Sequence, residues 1–502
     1  MKRFTATLFS LMLVCSVFGQ TVKIGTTNFG TIQEAITAAS AGDVIDITGV
    51  HTETIAIFKN ITLRGTNPAT DIIQAAADQA SATGRVVHVA GEDGASDVVI
   101  ENLTIRNGNA TAHGGGIFAD KVTGLLSLNN VTISNNTTTK NGGGINTGGS
   151  NVDFNNCTFE NNTAINSGFP GNGGGLFIAP NNAAGIDATV NVKNSLINNN
   201  ASTLNKGGGF VVDGNNQYGD QYTITANFEN VTITNNSSAV IGGAGLVVGV
   251  DYQGSNGSLS VGETNVTFNM IHCTVAYNTC PDLFKSGLAF ANGNATTGPH
   301  FSLYNSIVVS ADDLGEKAID FTNPNTLDVV NCVLGGLEAA PAVVDGFGKN
   351  NLKGQTATAA GIATSLTNEG GKVNVLTLNV GATSVDYCTA STSVTMPSND
   401  ARGYTRDSSP DAGSYELNAT PTALNDIAKG TQVSLYPNPA TTSFKVNSEK
   451  QVLNISLFDF SGKLIKQVFS TSEMNVADVQ AGVYLVEVKT ESAVFMSKLL
   501  IK

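Results

Sequence analysis

The chain has 502 residues, of which only 13% are charged, with 55 glycines, no tryptophan and a formal net charge of −14. That acidic balance excludes nucleic acid and anionic lipid as natural partners, because both are polyanions. Low charge with abundant Asn, Thr, Ser and Gly is also found in disordered chains, so any ordered core must come from registered apolar residues.

Residues 1–19 carry Lys2 and Arg3 followed by an apolar run from Phe4 to Phe18. This is the pattern of a secretory signal, too short for a spanning helix, with cleavage expected near Gly19–Gln20. Cys15 invites a lipoprotein reading, but Val14 is large where a small residue is wanted. No other stretch is long and apolar enough to be a transmembrane helix.

Residues 28–66 open the mature chain. Ile32, Ala35, Ile36 and Ala39 fall on one face of a short amphipathic helix, and strands follow from Val44, Ile55 and Ile61. A helix placed there would cover the open edge of a first coil of parallel strands. The stretch resembles the N-terminal cap of right-handed β-helix proteins, pectin methylesterases among them. Their Gly-x-Tyr-x-Glu element stands here as Gly49-Val50-His51-Thr52-Glu53. The resemblance implies a cap and carries no chemistry.

From about residue 98 to 340 one phrase recurs at about 26 to 42 residue intervals, the range of a stacked array. Its first position is apolar (Ile100, Leu128, Phe154, Val192, Phe228, Met270, Leu303, Val329). Two residues later stands asparagine (Asn102, Asn130, Asn156, Asn194, Asn230, Asn305, Asn331), with His272 the exception. Three residues beyond the asparagine comes another large apolar residue (Ile105, Ile133, Phe159, Ile197, Ile233, Val275, Val308, Leu334). The two apolar positions after the asparagine alternate as in a half-buried strand, and the first apolar position is out of phase with them. The chain must therefore bend at the asparagine, which tolerates left-handed backbone angles and stacks into amide ladders.

Glycine runs at Gly114–Gly116, Gly142–Gly144, Gly173–Gly175, Gly207–Gly209 and Gly242–Gly243 supply a second corner. The pattern predicts an all-β protein: a right-handed parallel β-helix, a pectin-lyase-like solenoid, over residues 20–416. The glycine runs with Phe159-Glu160-Asn161-Asn162 also resemble the repeats of chlamydial polymorphic outer-membrane proteins, which are β-helical adhesins.

Chemistry on such a scaffold needs outward groups on neighbouring coils. Arg106 is the only arginine within the repeats, and Asp312-Asp313 is an adjacent acid pair of the kind that loops simply solvate. A lyase would need a base and Ca²⁺ held by clustered acids, and a hydrolase would need paired carboxylates. Neither set is evident, nor is a phosphate loop or a metal pattern. No cofactor is expected, with Ca²⁺ entering only if the protein is a lyase. His113 abuts a glycine corner, while His51, His88 and His300 are isolated.

Of the five mature cysteines, Cys157, Cys273 and Cys332 share one inward column with the character of small hydrophobes. Cys280 and Cys388 complete the set, and Cys273 and Cys280 lie near enough in sequence to bridge. The threonine column Thr104, Thr132, Thr158, Thr232, Thr274 is good strand chemistry. As a flat hydroxyl face it also suits a glycan; Leu196, Ile307, Val333 and uneven coil lengths count against ice. The excursions at 215–222 and 251–263 bring Tyr218, Tyr222 and Tyr252 as candidate ligand-contact residues.

Residues 381–416 read as a C-terminal closure, salt-bridged through Arg402 and Arg406 amid Asp400, Asp407, Asp411 and Glu416. The stretches Asp400-Ala401-Arg402-Gly403-Tyr404-Thr405-Arg406 and Pro410-Asp411-Ala412-Gly413-Ser414-Tyr415-Glu416 resemble the end of choice-of-anchor Q β-helix proteins. That resemblance implies a surface protein with interchangeable anchors and no defined activity. Here Arg402 precedes the glycine and Ala412 replaces isoleucine.

Residues 417–432 form a polar linker. From 433 to 502 lysine returns, and strands alternate at Leu453–Phe458, Leu464–Phe469, Val483–Lys489 and Ser497–Ile501, predicting a small Ig-like β-sandwich. This terminus resembles the type A sorting domain of the type IX secretion system. The matching residues are Leu435-Tyr436-Pro437-Asn438-Pro439, Asp459 with Gly462-Lys463, Gly482-Val483-Tyr484 and Lys498-Leu499-Leu500-Ile501-Lys502. The resemblance implies export across the outer membrane with the secretion machinery as partner, then removal of the domain with release or surface attachment. The combined expectation is a secreted or cell-surface adhesin or glycan-binding β-helix whose partner is a polysaccharide or a neighbouring surface. The alternatives are a polysaccharide lyase or glycoside hydrolase with a divergent site, or a structural surface component.

Overall fold

A computed structural model describes residues 19–91, 93–165, 173–179, 187–214, 222–248, 264–281, 287–291, 300–310, 317–322, 327–338, 349–388, 395–421, 434–448, 451–459, 463–490 and 494–502. The chain divides into two compact units, 1–421 and 422–502.

The first unit is a parallel β-helix with three long faces. Face A has twelve strands and runs in parallel from Val44–Thr48 to Leu327–Val330. Thr21–Ile24 and Thr27–Phe29 extend its first edge antiparallel. Face B has ten strands, from Val50–Thr52 to Val333–Leu334, and face C ten, from Ile55–Ile57 to Gly336–Glu338. Five two-residue strands, Asn109–Ala110 to Ser237–Ser238, form a short ladder where the chain turns from B toward C.

The phrases seen in the sequence stack in register. Ile100 pairs with Leu128, then Phe154, Val192, Phe228, Met270, Leu303 and Val329 along face A. Ile105, Ile133, Phe159, Ile197, Ile233, Val275 and Val308 do the same on face B. Both columns point inward and are buried. Phenylalanines stack along the later coils, with Phe210–Phe228 centroids 4.8 Å apart and Phe290–Phe301 4.9 Å.

The corner asparagines adopt the left-handed conformation expected of them. Asn102, Asn130, Asn156, Asn194, Asn230, Asn305 and Asn331 have φ between 49 and 56°, and His272 in the same place has φ 49°. A second corner follows the six central face B strands, with Asn107, Asn135, Asn161, Asn199 and Asn235 at φ 52–60° and Tyr277 at 59°.

Behind that corner runs a buried amide ladder: Asn136, Asn162, Asn200, Asn236 and Asn278. From Asn162 onward each Oδ1 accepts from the Nδ2 of the asparagine one coil earlier, at 3.0, 2.9, 2.9 and 2.9 Å. It also accepts that residue's backbone N–H at 2.9–3.1 Å. Each Nδ2 additionally donates to a carbonyl of the preceding coil, as Asn200 does to Phe159. The glycine runs face this ladder. An added Cβ on Gly144 would lie 2.5 Å from the Gly175 carbonyl oxygen and 3.1 Å from the Asn162 amide, so no side chain fits. The first glycine of each run has φ of 63–74° instead, which favours glycine for a different reason.

At the N-terminal edge, helix Ile32–Ala38 begins in a capping box formed by Thr31 and Glu34. Glu53 accepts from the N–H groups of Ile32 and Gln33, at 2.9 and 3.1 Å, satisfying two more orphan donors of the helix. The glutamate of the Gly-x-x-x-Glu element is thus a helix-capping group.

The five cysteines among the described residues are buried, and Cys273 and Cys280 form no disulfide. Burial pushes the thiols of Cys157, Cys273 and Cys332 up to about 12, which makes them unreactive packing groups. Ser195 and Ser306 occupy the same column and accept the N–H of Cys157 and Cys273 through Oγ, each at 3.0 Å.

The second unit pairs a three-stranded antiparallel sheet (Ser434–Tyr436, Ser443–Asn447, Glu473–Asn475) with a four-stranded one (Val452–Phe458, Leu464–Phe469, Gly482–Thr490, Val494–Ile501). Phe444, Ile455, Leu457, Met474, Val486, Val488 and Leu499 form its own core.

The amide ladder sets a stability prediction. Asn200→Ala removes the acceptor of two buried Asn162 donors, and should destabilise the β-helix by about 2–4 kcal/mol. Asn227→Ala, in the outer ladder on face A, should cost about 1 kcal/mol or less. Denaturant unfolding of the two variants checks the ordering.

Candidate functional site

After the last coil the chain does more than close the end of the helix. Residues 349–355 stack one more turn on it, with Leu352 bridging Val333 in parallel, and from Ala357 the chain packs along the outside of face B. Ala357, Ile362, Val375, Leu376, Ala401, Ala412 and Tyr415 join the outward-facing Ala276, Ile307 and Val333 in a second apolar core. Gly413 lies against the sheet itself, where an added Cβ would sit 2.6 Å from Thr274 Oγ1. Ser414 donates its N–H to Thr274 Oγ1 at 2.9 Å, and its hydroxyl lies 2.8 Å from that of Thr232. Thr232 and Thr274 are therefore buried. The expected solvent-facing threonine face is roofed over its C-terminal half.

Two ion pairs hold this segment. Arg406 meets Glu416 at 2.9 Å, with both side chains out of solvent, and its Nη2 donates to Asn230 Oδ1 and the Gly413 carbonyl, each at 3.0 Å. Arg402 meets Asp400 at 2.7 Å and stacks on Tyr415 and Tyr404, 4.0 and 4.6 Å from their ring centres. Asp411 accepts the backbone N–H groups of Asp386 and Leu417. Burial pushes the carboxyls of Glu416 and Asp411 above their ordinary values. These groups face inward and bind each other, which is the work of a clasp.

Toward the N-terminus the roof stops and face B is open. A groove of roughly 590 Å³ has Thr104, Thr132 and Thr158 in its floor with Asn130 and Asn156 at the edge. One wall is the loop Asn67–Ala69. It is ordered by Asp71, which accepts from Thr66 Oγ1 and from the N–H groups of Gly49, Thr66 and Asn67. Burial opposes the charge on Asp71, but these bonds outweigh it and hold the carboxyl below its ordinary value. The other wall is Gly371–Lys372, and Gly371 packs so closely on Arg402 that an added Cβ would lie 2.9 Å from it. The clasp thus positions the groove's far wall.

Three charged side chains enter the groove: Arg106, Glu160 and Lys372. Arg106 and Glu160 occupy one outward column with Ser134 between them. Arg106 donates Nε to Gln74 Oε1 at 3.0 Å, leaving its Nη groups without a carboxylate among the described residues. Lys372 has no ion-pair or hydrogen-bond partner among them. Burial raises the Glu160 carboxyl above its ordinary value. Within the described residues no group of three or more metal-type ligands occurs.

Of the three tyrosines singled out as contact candidates, Tyr218 and Tyr252 lie outside the described residues. Tyr222 begins the face A strand Tyr222–Glu229, paired with Thr264. Asp312 and Asp313 also lie outside. Sequence reading missed the groove because its two walls are about 300 residues apart in the chain.

In the second unit the sorting motifs converge. The Asn438 side chain donates to the Lys498 carbonyl at 2.7 Å and accepts the N–H of Leu500 at 2.9 Å. Ala440 N–H bonds the Leu500 carbonyl, and Lys502 N–H bonds Ala440. Gly482, Val483 and Tyr484 pair with Ile501, Leu500 and Leu499 from the neighbouring strand. Tyr436 is 76% exposed beside Pro437 and Pro439. Lys463 N–H bonds the Asp459 carboxylate, while Gly462 lies outside the described residues.

Residues 434–502 match the family profile described as secretion system C-terminal sorting domain. The protein is exported by type IX secretion to the cell surface. The secretion machinery is accordingly a partner of this domain. No curated protein and no solved structure matches the chain. No helix among the described residues is long and apolar enough to cross a membrane.

The clasp has a pH signature. His272 is fully buried beneath it, its Nε2 accepting from Asn305 Nδ2 at 3.1 Å. Burial, followed by the field of Arg406, holds it well below the ordinary histidine value. Since the unfolded chain takes up a proton near pH 6.5 and the folded one does not, stability should fall as pH drops from 7 to about 5.5. His88 and His113, lowered mainly by burial, add to the same trend. His272→Asn restores the column's usual residue and should flatten the dependence of the melting temperature on pH in that window. Arg406→Met leaves Glu416 buried and unpaired, and should cost about 3–5 kcal/mol.

Proposed function

We propose that this is a surface-displayed adhesin that binds glycan, and that the open groove on face B is its binding face. The observation that carries the reading is the groove itself: a polar floor of stacked threonine and asparagine, open along the solenoid, with Arg106 and Lys372 beside it and no carboxylate paired to either among the described residues. Hydroxyl and amide rows at strand spacing suit a polymer of polyhydroxylated units, and a lateral groove lets the chain run on beyond the walls. Export to the cell surface puts the groove where polysaccharide is met. The likeness of residues 400–416 to choice-of-anchor Q proteins fits the same setting.

A second reading has one observation behind it. Glu160, with its carboxyl raised by burial, shares the groove with two cationic side chains, as a polysaccharide lyase or hydrolase would require of an acid and a base. Only one carboxylate enters the groove, so the paired-acid geometry of glycoside hydrolysis is not formed there by the described residues.

A glycan array run beside reducing-sugar and unsaturated-product assays separates the two. The binding reading expects retention of one or more polysaccharides without turnover, weakened at least tenfold by the double variant Arg106→Gln/Lys372→Gln. Turnover abolished by Glu160→Gln would replace it with the enzymatic reading. Removing residues 434–502 should leave the β-helix unit folded but trapped in the periplasm, as fractionation would show.

A further inference from the structure

A separate cavity lies on the opposite side of the first coils, on the outer surface of face C. Its volume is roughly 400 Å³, within the range of about 300–1,000 Å³ typical of small-ligand sites. Gln33 and Thr54 form its cap side, Thr83 and Arg85 one flank, and Thr111 the other, with His88 in the floor. One feature marks it as more than a surface dent. Arg85 is half-buried, its guanidinium lying 4.8 Å over the Phe118 ring, with no carboxylate at ion-pair distance among the described residues. Nε2 of His88 is shielded from solvent and lies out of a ligand's reach. The His88 ring is itself stacked on Phe118, 5.5 Å between centres with planes 10° apart.

Phe118 thus backs the Arg85 guanidinium, which restrains it and lowers the entropic cost of binding. Burying a guanidinium without an anion is unfavourable, and burial does lower the basicity of Arg85. Asp120 acts on Arg85 and Asp93 on His88 from nearby, but neither lines the cavity. The position that would complete Arg85 is the cavity. A planar oxyanion matches the guanidinium fork, and hydroxyls match the threonine groups around it.

We propose that this cavity binds a small hydroxylated carboxylate the size of one sugar acid, its carboxylate taken by Arg85 and its hydroxyls by Thr54, Thr83 and Thr111. The site is distinct from the face B groove and does not depend on the function assigned there. Such a ligand could come free or as the terminal acidic unit of a glycan. The test uses the full chain with glucuronate, gluconate, an oligosaccharide ending in glucuronate, and glucose and acetate as controls. Titration calorimetry should show glucuronate or the oligosaccharide binding at least tenfold more tightly than glucose and acetate. Binding of the free acid marks a free-ligand site; binding of the oligosaccharide alone marks a chain-end site. Arg85→Gln should weaken binding at least tenfold, while Arg106→Gln/Lys372→Gln should leave it unchanged. If Arg85→Gln does not fold, wild-type protein answers instead: the ligand should protect Arg85 from phenylglyoxal, read by peptide mass spectrometry. Unselective or absent binding, loss through the groove variant, or an unprotected Arg85 would each overturn the proposal.

Discussion

Everything in the β-helix depends on one constraint: each coil must turn its corners without leaving a buried polar group unpaired. Parallel strands satisfy their own backbone along the faces, but corners interrupt that pairing. The column from Asn102 to Asn331 turns the first corner in the left-handed conformation. The column Asn136 to Asn278 solves the second by inserting an amide into the interior and bonding it to the coils before and after. An unsatisfied amide in that position would cost roughly 1–3 kcal/mol per group. Once the ladder is complete, coil height, register and the close glycine packing against it are all fixed together.

That rigid stack determines where function can sit. Inward columns are consumed by packing, and the thiols among them are inert. Outward columns on face B are shared between two uses. Over Thr232 and Thr274 they anchor the returning segment 395–421, whose buried Arg406–Glu416 and Arg402–Asp400 pairs leave no free reactive group. Over Thr132 and Thr158 they stay open, with Thr104 bonded under the loop at Pro68, and the stretch Gly371–Lys372 becomes a wall. A single structural device covers one half of the sheet and shapes the other.

The sequence repeats made the scaffold legible because their information is local: an apolar residue, a corner asparagine and a strand recur within one coil. The cap helix was legible for the same reason. The second asparagine column was present in Asn135-Asn136, Asn161-Asn162, Asn199-Asn200 and Asn235-Asn236, yet nothing in the pattern distinguished the buried member of each pair from its left-handed neighbour. The clasp's reach was not legible at all. Arg406 and Asn230 are 176 residues apart, and no periodicity links them. His272 looked like an isolated departure from a column; it is the corner residue buried beneath that clasp. The sorting domain was readable from ordered motifs, while the amide of Asn438 joining two of them across the fold was not.

The account's central claim is that the open part of face B is the surface that meets a glycan. Hydrogen exchange of the intact protein with and without a bound polysaccharide tests it most directly. The account predicts added protection confined to 104–106, 132–134, 158–160 and 371–372, with the buried coils beneath unchanged. Protection centred instead on the excursions 215–222 and 251–263, or spread over face A, would contradict it.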